Sequence, residues 1–178
     1  VASVSSQFGD EACYCCPPAI VGNSNYQVMS FRNDENNIRD MKAGVSTDGG
    51  ITFNTQISLD DHNWWLASCP ATGGDLVING SQLYSTYMSK GEGDEMIYFV
   101  EDDLSDSLEY TEAQAVELGT TTTMNHPHLS NFGDSVLLVW EQTDQGETDI
   151  WYNFSTAGMS NWQSTTASSV FELNGIQS

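Results

Sequence analysis

Residues 46 to 53 read Ser-Thr-Asp-Gly-Gly-Ile-Thr-Phe, and no other stretch limits so sharply what this chain can fold into. Strand-like runs flank it, Ile38 to Val45 before and Thr52 to Leu59 after. Asp48-Gly49-Gly50 between them is a hairpin signal. Asp tolerates a left-handed backbone and bonds its own turn amides, and Gly takes positive φ at no steric cost. Ser46 stands two residues ahead of Asp48, where its hydroxyl can cap turn amides. Phe53 follows Thr52, and its ring is expected to plug the turn onto the sheet below.

The same rhythm of short strands recurs three times. The first segment carries candidates at Ala19 to Val21, Tyr26 to Phe31, Ile38 to Val45 and Thr52 to Leu59. The second carries Asp75 to Ile78, Gln82 to Met88, Met96 to Val100 and Ala113 to Leu118. The third carries His128 to Ser130, Ser135 to Gln142, Asp149 to Phe154 and Trp162 to Ser169. Gly, Asn, Asp and Ser separate the runs. Aligning Tyr26, Leu83 and Val136 gives a period of about 55 residues, near that of a four-stranded propeller blade with long loops. Phe53, Thr55, Ile57 and Leu59 alternate with polar residues and are expected to share one face. Val136-Leu137-Leu138-Val139-Trp140 does not alternate, which predicts a strand buried on both faces. The turn pattern itself returns only weakly, at Ser155 through Trp162, where Ala157 stands in the Asp slot and Met159 in the Gly slot.

Charge narrows the partners. The 178 residues include 25 acids against 4 basic side chains, a net charge of -21. The cations are Arg32, Arg39, Lys42 and Lys90. So few cations argue against nucleic acid, whose phosphates need Lys and Arg, and against anionic membrane surfaces. The acids are scattered and 39% of residues are hydrophobic, so the chain is expected to fold rather than act as an acidic tail. A solubilising surface accounts for most of the acids. Glu101-Asp102-Asp103 could bind a divalent cation but lacks the spacing of an EF-hand loop. No run approaches a transmembrane span and none reads as a signal peptide. The chain begins Val1-Ala2-Ser3 without Met and is expected to be a processed product or a piece of a longer protein.

Four cysteines stand at Cys13, Cys15, Cys16 and Cys69. An even count with few Lys and many Ser, Thr and Asn predicts an exported, disulfide-bonded protein. Cys15 and Cys16 face opposite ways in an extended strand, and a link from the cluster to Cys69 is expected because Cys69 has no other partner. Three pairings remain open. Thiolates with His62, or with Met124, His126 and His128, would suit copper(I) or zinc, but Cys-x-Cys-Cys is not the usual zinc spacing. Disulfides are therefore expected, with no resident metal and no cofactor.

The pattern Ser-x-Asp-x-Gly-x-Thr-Phe, carried by Ser46, Asp48, Gly50, Thr52 and Phe53, resembles the Asp-box, or BNR repeat, of sialidase-like β-propellers. Around it, Cys13-Tyr14-Cys15-Cys16-Pro17-Pro18-Ala19, Phe31-Arg32-Asn33, Asn37-Ile38-Arg39-Asp40, Asp60-Asp61 and Trp64 through Ser68-Cys69-Pro70 look like a bacterial exported group of such proteins. The likeness covers residues 13 to about 90 well and the rest only in blade pattern, through His126-Pro127-His128-Leu129 and Val139-Trp140-Glu141. It implies an all-β fold of four-stranded antiparallel blades. Residues 1–12 would end a preceding blade, and 13–60, 70–118 and 125–172 would form three more. Three blades do not close a ring. Further blades in a longer chain, or two chains pooling three each, would close it, and an exposed blade edge otherwise invites pairing.

A sialidase of this kind is expected to hold a substrate carboxylate with three arginines and to use a Tyr–Glu nucleophile pair and an Asp acid/base. This chain has two arginines. Arg32 and Arg39 lie on consecutive strands and could converge on a ligand at the ring centre, or could bridge Asp34, Asp40, Asp60 or Asp61. Tyr84 or Tyr87 with Glu101 could mimic the nucleophile pair. Trp64 and Trp65 lie in a loop-like stretch, where an exposed indole can stack on a sugar and a buried one packs beneath a neighbouring sheet. His126 and His128 could share a face. Asn79-Gly80-Ser81 and Asn153-Phe154-Ser155 match the N-glycosylation pattern but are expected to be unmodified in a bacterial protein. The reading that results is an extracellular or cell-surface module that binds carbohydrate or a protein partner through Arg32, Arg39, Trp64 and Trp65, without competence as a sialidase. A hydrolase completed by other blades and a structural subunit of a secreted assembly are the alternatives.

Overall fold

The computed structural model describes residues 7–9, 11–106, 111–116, 123–158 and 168–169, the last two by backbone alone. Among these residues twelve strands build three four-stranded antiparallel sheets, each ordered as the chain runs. β1 (Ala19–Gly22), β2 (Gln27–Arg32), β3 (Met41–Ser46) and β4 (Thr55–Ser58) form the first sheet. β5 (Gly74–Asn79), β6 (Gln82–Ser89), β7 (Met96–Asp103) and β8 (Gln114–Ala115) form the second. β9 (Thr123–Phe132), β10 (Ser135–Asp144), β11 (Glu147–Ser155) and β12 (Ser168–Ser169) form the third. All twelve sequence candidates overlap a strand. The helical content among described residues is one 3-10 turn, Glu35–Asn37, and no helix there is long and apolar enough to cross a membrane.

The sheets stack in chain order because the second has two apolar faces. In β6, Leu83 and Tyr87 point toward the first sheet, meeting Val28, Met41 and Ile57. Their neighbours Tyr84 and Met88 point the other way, toward Val136, Leu138 and Trp140 of the third. Period-two alternation thus serves two cores at once.

Two expectations need correcting. The run Val136 to Trp140 is not buried on both faces: Val136, Leu138 and Trp140 are sealed, whereas Leu137 is 41% exposed and Val139 is half-buried. Its outer face meets no neighbouring sheet among the described residues. Phe53 does not share the face of Ile57, because β4 begins only at Thr55. Its ring instead lies 5.9 Å from Phe8, which crosses the outer face of the first sheet and stacks edge-on against Phe31. Gly44 permits that crossing, since a Cβ there would stand 2.4 Å from the Phe8 ring. The remainder of residues 1–12, the strand candidate beyond residue 116, and Met159 and Trp162 of the weak second turn lie outside the described residues.

The Ser46–Phe53 turn is closed by its own side chains. Ser46 Oγ accepts the Gly50 N–H at 2.9 Å and donates to Asp48 Oδ1 at 2.8 Å. Asp48 then accepts the Thr52 N–H at 2.9 Å and the Thr52 hydroxyl at 2.7 Å. Gly49 and Gly50 carry φ of 78° and 84°. The Thr52 hydroxyl, followed by its N–H and by Ser46, holds the Asp48 carboxyl down at about 2.

Candidate functional site

The segment from Asp60 to Gly73, linking the first sheet to the second, is lashed down by residues 37 to 40. Asp40 accepts the N–H of Asn63 at 3.1 Å and of Trp64 at 3.0 Å. Arg39 N–H donates to the Trp64 carbonyl at 2.8 Å, and Leu66 N–H to that of Asn37 at 2.9 Å. This extended pairing turns the adjacent indoles in opposite directions. Trp64 is 7% exposed and sits in the core beside Met88 and Trp140. Trp65 is 63% exposed.

Trp65 stands at a cleft of about 650 Å³ that also takes in Asn63, Ser68, Cys69, Lys90, Glu95 and Asn125. The walls come from the linking segment, the β6–β7 turn and β9. Lys90 Nζ lies 3.3 Å from Glu95 Oε1, so the cation and anion of the cleft face each other. An aromatic plate beside amides, a hydroxyl and a balanced ion pair can stack on a ring and bond its hydroxyls. Sequence reasoning reached Trp65 but missed Lys90, Glu95 and Asn125. They come from two other places in the chain, the β6–β7 turn and β9, and only the rarity of lysine marked Lys90.

The arginines face inward. Arg32 is 1% exposed. Its Nε donates to the Thr72 carbonyl at 2.9 Å, one Nη to that of Arg39 at 2.6 Å and the other to that of Met88 at 2.7 Å. Its guanidinium carbon lies 5.2 Å from the Trp64 ring centroid, a cation–π arrangement. Burial lowers the Arg32 pKa, against the support of Cys16, Asp60 and Cys13. Arg39 donates through Nε to the Leu66 carbonyl at 3.0 Å and pairs with Asp34. Neither guanidinium lines the cleft. Both hold together the segments that shape it.

Beneath the cleft lie Asp60 and His62, joined side chain to side chain. That bond, with Asp60 as partner, raises the His62 pKa. Burial, then Asp60, pushes Asp40 up to about 6. Beyond His62 a wider concavity of about 780 Å³ is lined by Asp61, Glu92, Tyr98 and Glu112. Three carboxylates make it repel anions. The cleft at Trp65 is the better candidate despite its smaller volume, because it joins an exposed aromatic to uncharged hydrogen-bonding groups.

The cysteines gather behind the cleft. Cys15 and Cys69 form a disulfide. Cys13 and Cys16 are free and buried, with sulfurs 2.7 Å apart. Burial, then the neighbouring Cys13, pushes the Cys16 thiol up to about 12. The histidines proposed as soft-metal partners are engaged elsewhere. His62 holds Asp60, His126 Nδ1 meets Glu141 at 2.9 Å and His128 Nδ1 meets Asp75 at 3.3 Å. A bulge in β9 opposite Val139 and Glu141 separates the last two, and Met124 is 1% exposed. Tyr84 faces Glu101 across β6 and β7, and burial, followed by Glu101, raises its pKa, the wrong direction for a nucleophile. Tyr87 points to the opposite face of the sheet. Compared with protein-family models and with curated proteins, the chain gives no match.

Proposed function

We propose that this chain is a set of blades from an extracellular, sialidase-like β-propeller and that it binds carbohydrate through the Trp65 cleft without hydrolysing sialosides. Trp65 carries the binding half of the reading: a 63% exposed indole at the mouth of a polar cleft suits the apolar face of a sugar ring. The hydrogen-bonded Ser46–Phe53 turn and the stacking of three four-stranded sheets support the propeller. The Cys15–Cys69 disulfide is compatible with export. Against sialidase competence, Arg32 and Arg39 are turned to backbone carbonyls and Asp34, and the cleft's own cation, Lys90, is paired with Glu95.

The exposed outer face of the third sheet favours a companion reading, in which further blades or a partner chain complete the ring. Leu137 and Phe154 pair directly across β10 and β11 there and are 41% and 44% exposed.

The test is a glycan-binding screen followed by calorimetry on the best ligand, with Trp65→Ala beside the wild type. Loss of the stacking plate should weaken binding by about tenfold, near 1.4 kcal/mol, while the denaturation midpoint holds. Absence of glycan binding, or equal affinity in Trp65→Ala, defeats the carbohydrate reading. Turnover of a sialoside that is lost in Arg32→Lys, with glycan binding retained, defeats the non-catalytic one.

A further inference from the structure

The four cysteine sulfurs all lie within 4.8 Å of one another, although Cys69 is 53 residues beyond Cys16 in the chain. We propose that, once reduced, Cys13, Cys15, Cys16 and Cys69 form a tetrathiolate site for one divalent d10 ion, zinc before others. This goes beyond the carbohydrate reading and does not depend on it.

Geometry comes first. A tetrahedron with zinc–sulfur bonds of about 2.3 Å has edges of about 3.8 Å. The Cys13–Cys15 and Cys15–Cys16 separations, 3.4 Å and 4.0 Å, bracket that edge. The 2.7 Å Cys13–Cys16 edge opens by about 1 Å on a small rotation of either side chain, and the Cys15–Cys69 edge opens when its bond is reduced. Cys13-x-x-Cys16 is already a tight turn, with Cys16 N–H on the Cys13 carbonyl at 3.3 Å, and Cys13 N–H is anchored to the Arg32 carbonyl at 2.8 Å.

Donors for charged sulfur stand close by. Four thiolates on a divalent ion carry a net charge of −2, which a protein must solvate with N–H donors and a cation. Ala71 N–H points at Cys69 Sγ from 3.2 Å, Thr72 N–H at Cys16, and the sealed Arg32 guanidinium interacts with both Cys16 and Cys13. A second disulfide, between Cys13 and Cys16, competes for the same sulfurs. It would leave those donors and that cation facing neutral sulfur, a weak acceptor. No other group of three or more His, Cys, Asp or Glu among the described residues converges in this way.

The step balances as follows. A dithiol reductant transfers two electrons and two protons to the Cys15–Cys69 bond, giving two thiols and leaving as a disulfide. The four thiols then release four protons to solvent as the ion binds, so binding weakens in acid.

To test it, the chain is reduced with a dithiol without oxygen, desalted, and titrated with cobalt(II) and then zinc(II). One ion per chain, a tetrahedral cobalt–thiolate spectrum, sulfur-only coordination at about 2.3 Å for zinc by X-ray absorption and release of about four protons are expected. Cys69→Ser and Cys13→Ser should each weaken binding by at least about 100-fold, since even changes around a ligand cost about 10–100-fold. His126→Ala should leave it unchanged. Failure of the reduced chain to retain an ion overturns the proposal, as do nitrogen or oxygen ligands and full affinity in Cys69→Ser. The wild-type spectrum decides the matter even where a cysteine variant does not fold.

Discussion

The second and third sheets share strand order and have central strands of nearly equal length, eight residues each in β6 and β7 against ten and nine in β10 and β11. The second is buried on both faces and the third on one. On the third sheet's outer face Phe132, Leu137, Ile150 and Phe154 are 90%, 41%, 36% and 44% exposed. A sheet with apolar side chains on both faces is written for two neighbours, and the described residues supply the third with one. The two joints also differ in kind. The first is an apolar core with a buried guanidinium at its edge. The second joins smaller cores with rim contacts, Asp75 to the Leu129 N–H at 2.9 Å and Asn79 to Asp134 at 2.9 Å.

The largest effect should come from Arg32, which ties β2 to the linking segment and to β6. Arg32→Ala is expected to destabilise the chain by about 3–5 kcal/mol, the range for removing one partner of a buried charged network, as measured by urea denaturation. Arg32→Lys should not rescue it, because one ammonium cannot serve three carbonyls set around a planar fork. Asp75→Ala, at the second joint, should cost about 1–3 kcal/mol. Equal losses would mean that the two joints are alike after all.

A smaller and sharper contrast lies within β10. Leu138 and Leu137 are adjacent, 0% and 41% exposed. Leu138→Ala should cost about 2–5 kcal/mol, whereas Leu137→Ala should stay within about 0.5 kcal/mol, as for a surface position. If Leu137→Ala costs as much as Leu138→Ala, the outer face is covered in solution, and a fall in solution mass on Leu137→Lys would identify a second copy as the cover.

The sheets were legible in the sequence because turn chemistry and strand alternation act locally: Asp48, Gly49 and Gly50 made the hairpin readable, and twelve strand candidates found strands. What failed depended on distant parts of the chain. Val136 to Trp140 reads as doubly buried, yet burial of Leu137 needs a neighbour that composition cannot supply. Phe53 reads as part of the β4 face, but Phe8, far away in sequence, draws it to the other side. Arg32 reads more readily as a bridge to acids than as a ligand group, and its carbonyl partners at Thr72 and Met88 carry no side-chain signal at all. Of the two indoles, period two required that Trp64 and Trp65 diverge once the segment was extended, and only the pairing to residues 37–40 showed which turned outward.

A pH slope separates the joints once more. Asp40, at the first joint, has its folded pKa raised to about 6 against about 3.9 unfolded. The folded state therefore binds the Asp40 proton more tightly. Its contribution is fully present below about pH 4 and is lost as pH rises through about 6. Asp48 has the opposite sign. Its folded value of about 2 gives a contribution present above about pH 4 that disappears as pH falls toward 2. The net charge of -21 adds a repulsive background common to every variant, so the informative quantity is the difference between wild type and Asp40→Asn. Urea midpoints measured from pH 4 to 7 should fall more steeply in the wild type than in Asp40→Asn, whereas Leu137→Ala should keep the wild-type slope. Parallel slopes in wild type and Asp40→Asn would remove Asp40 from the titration of the first joint and leave only the charge background to explain any decline.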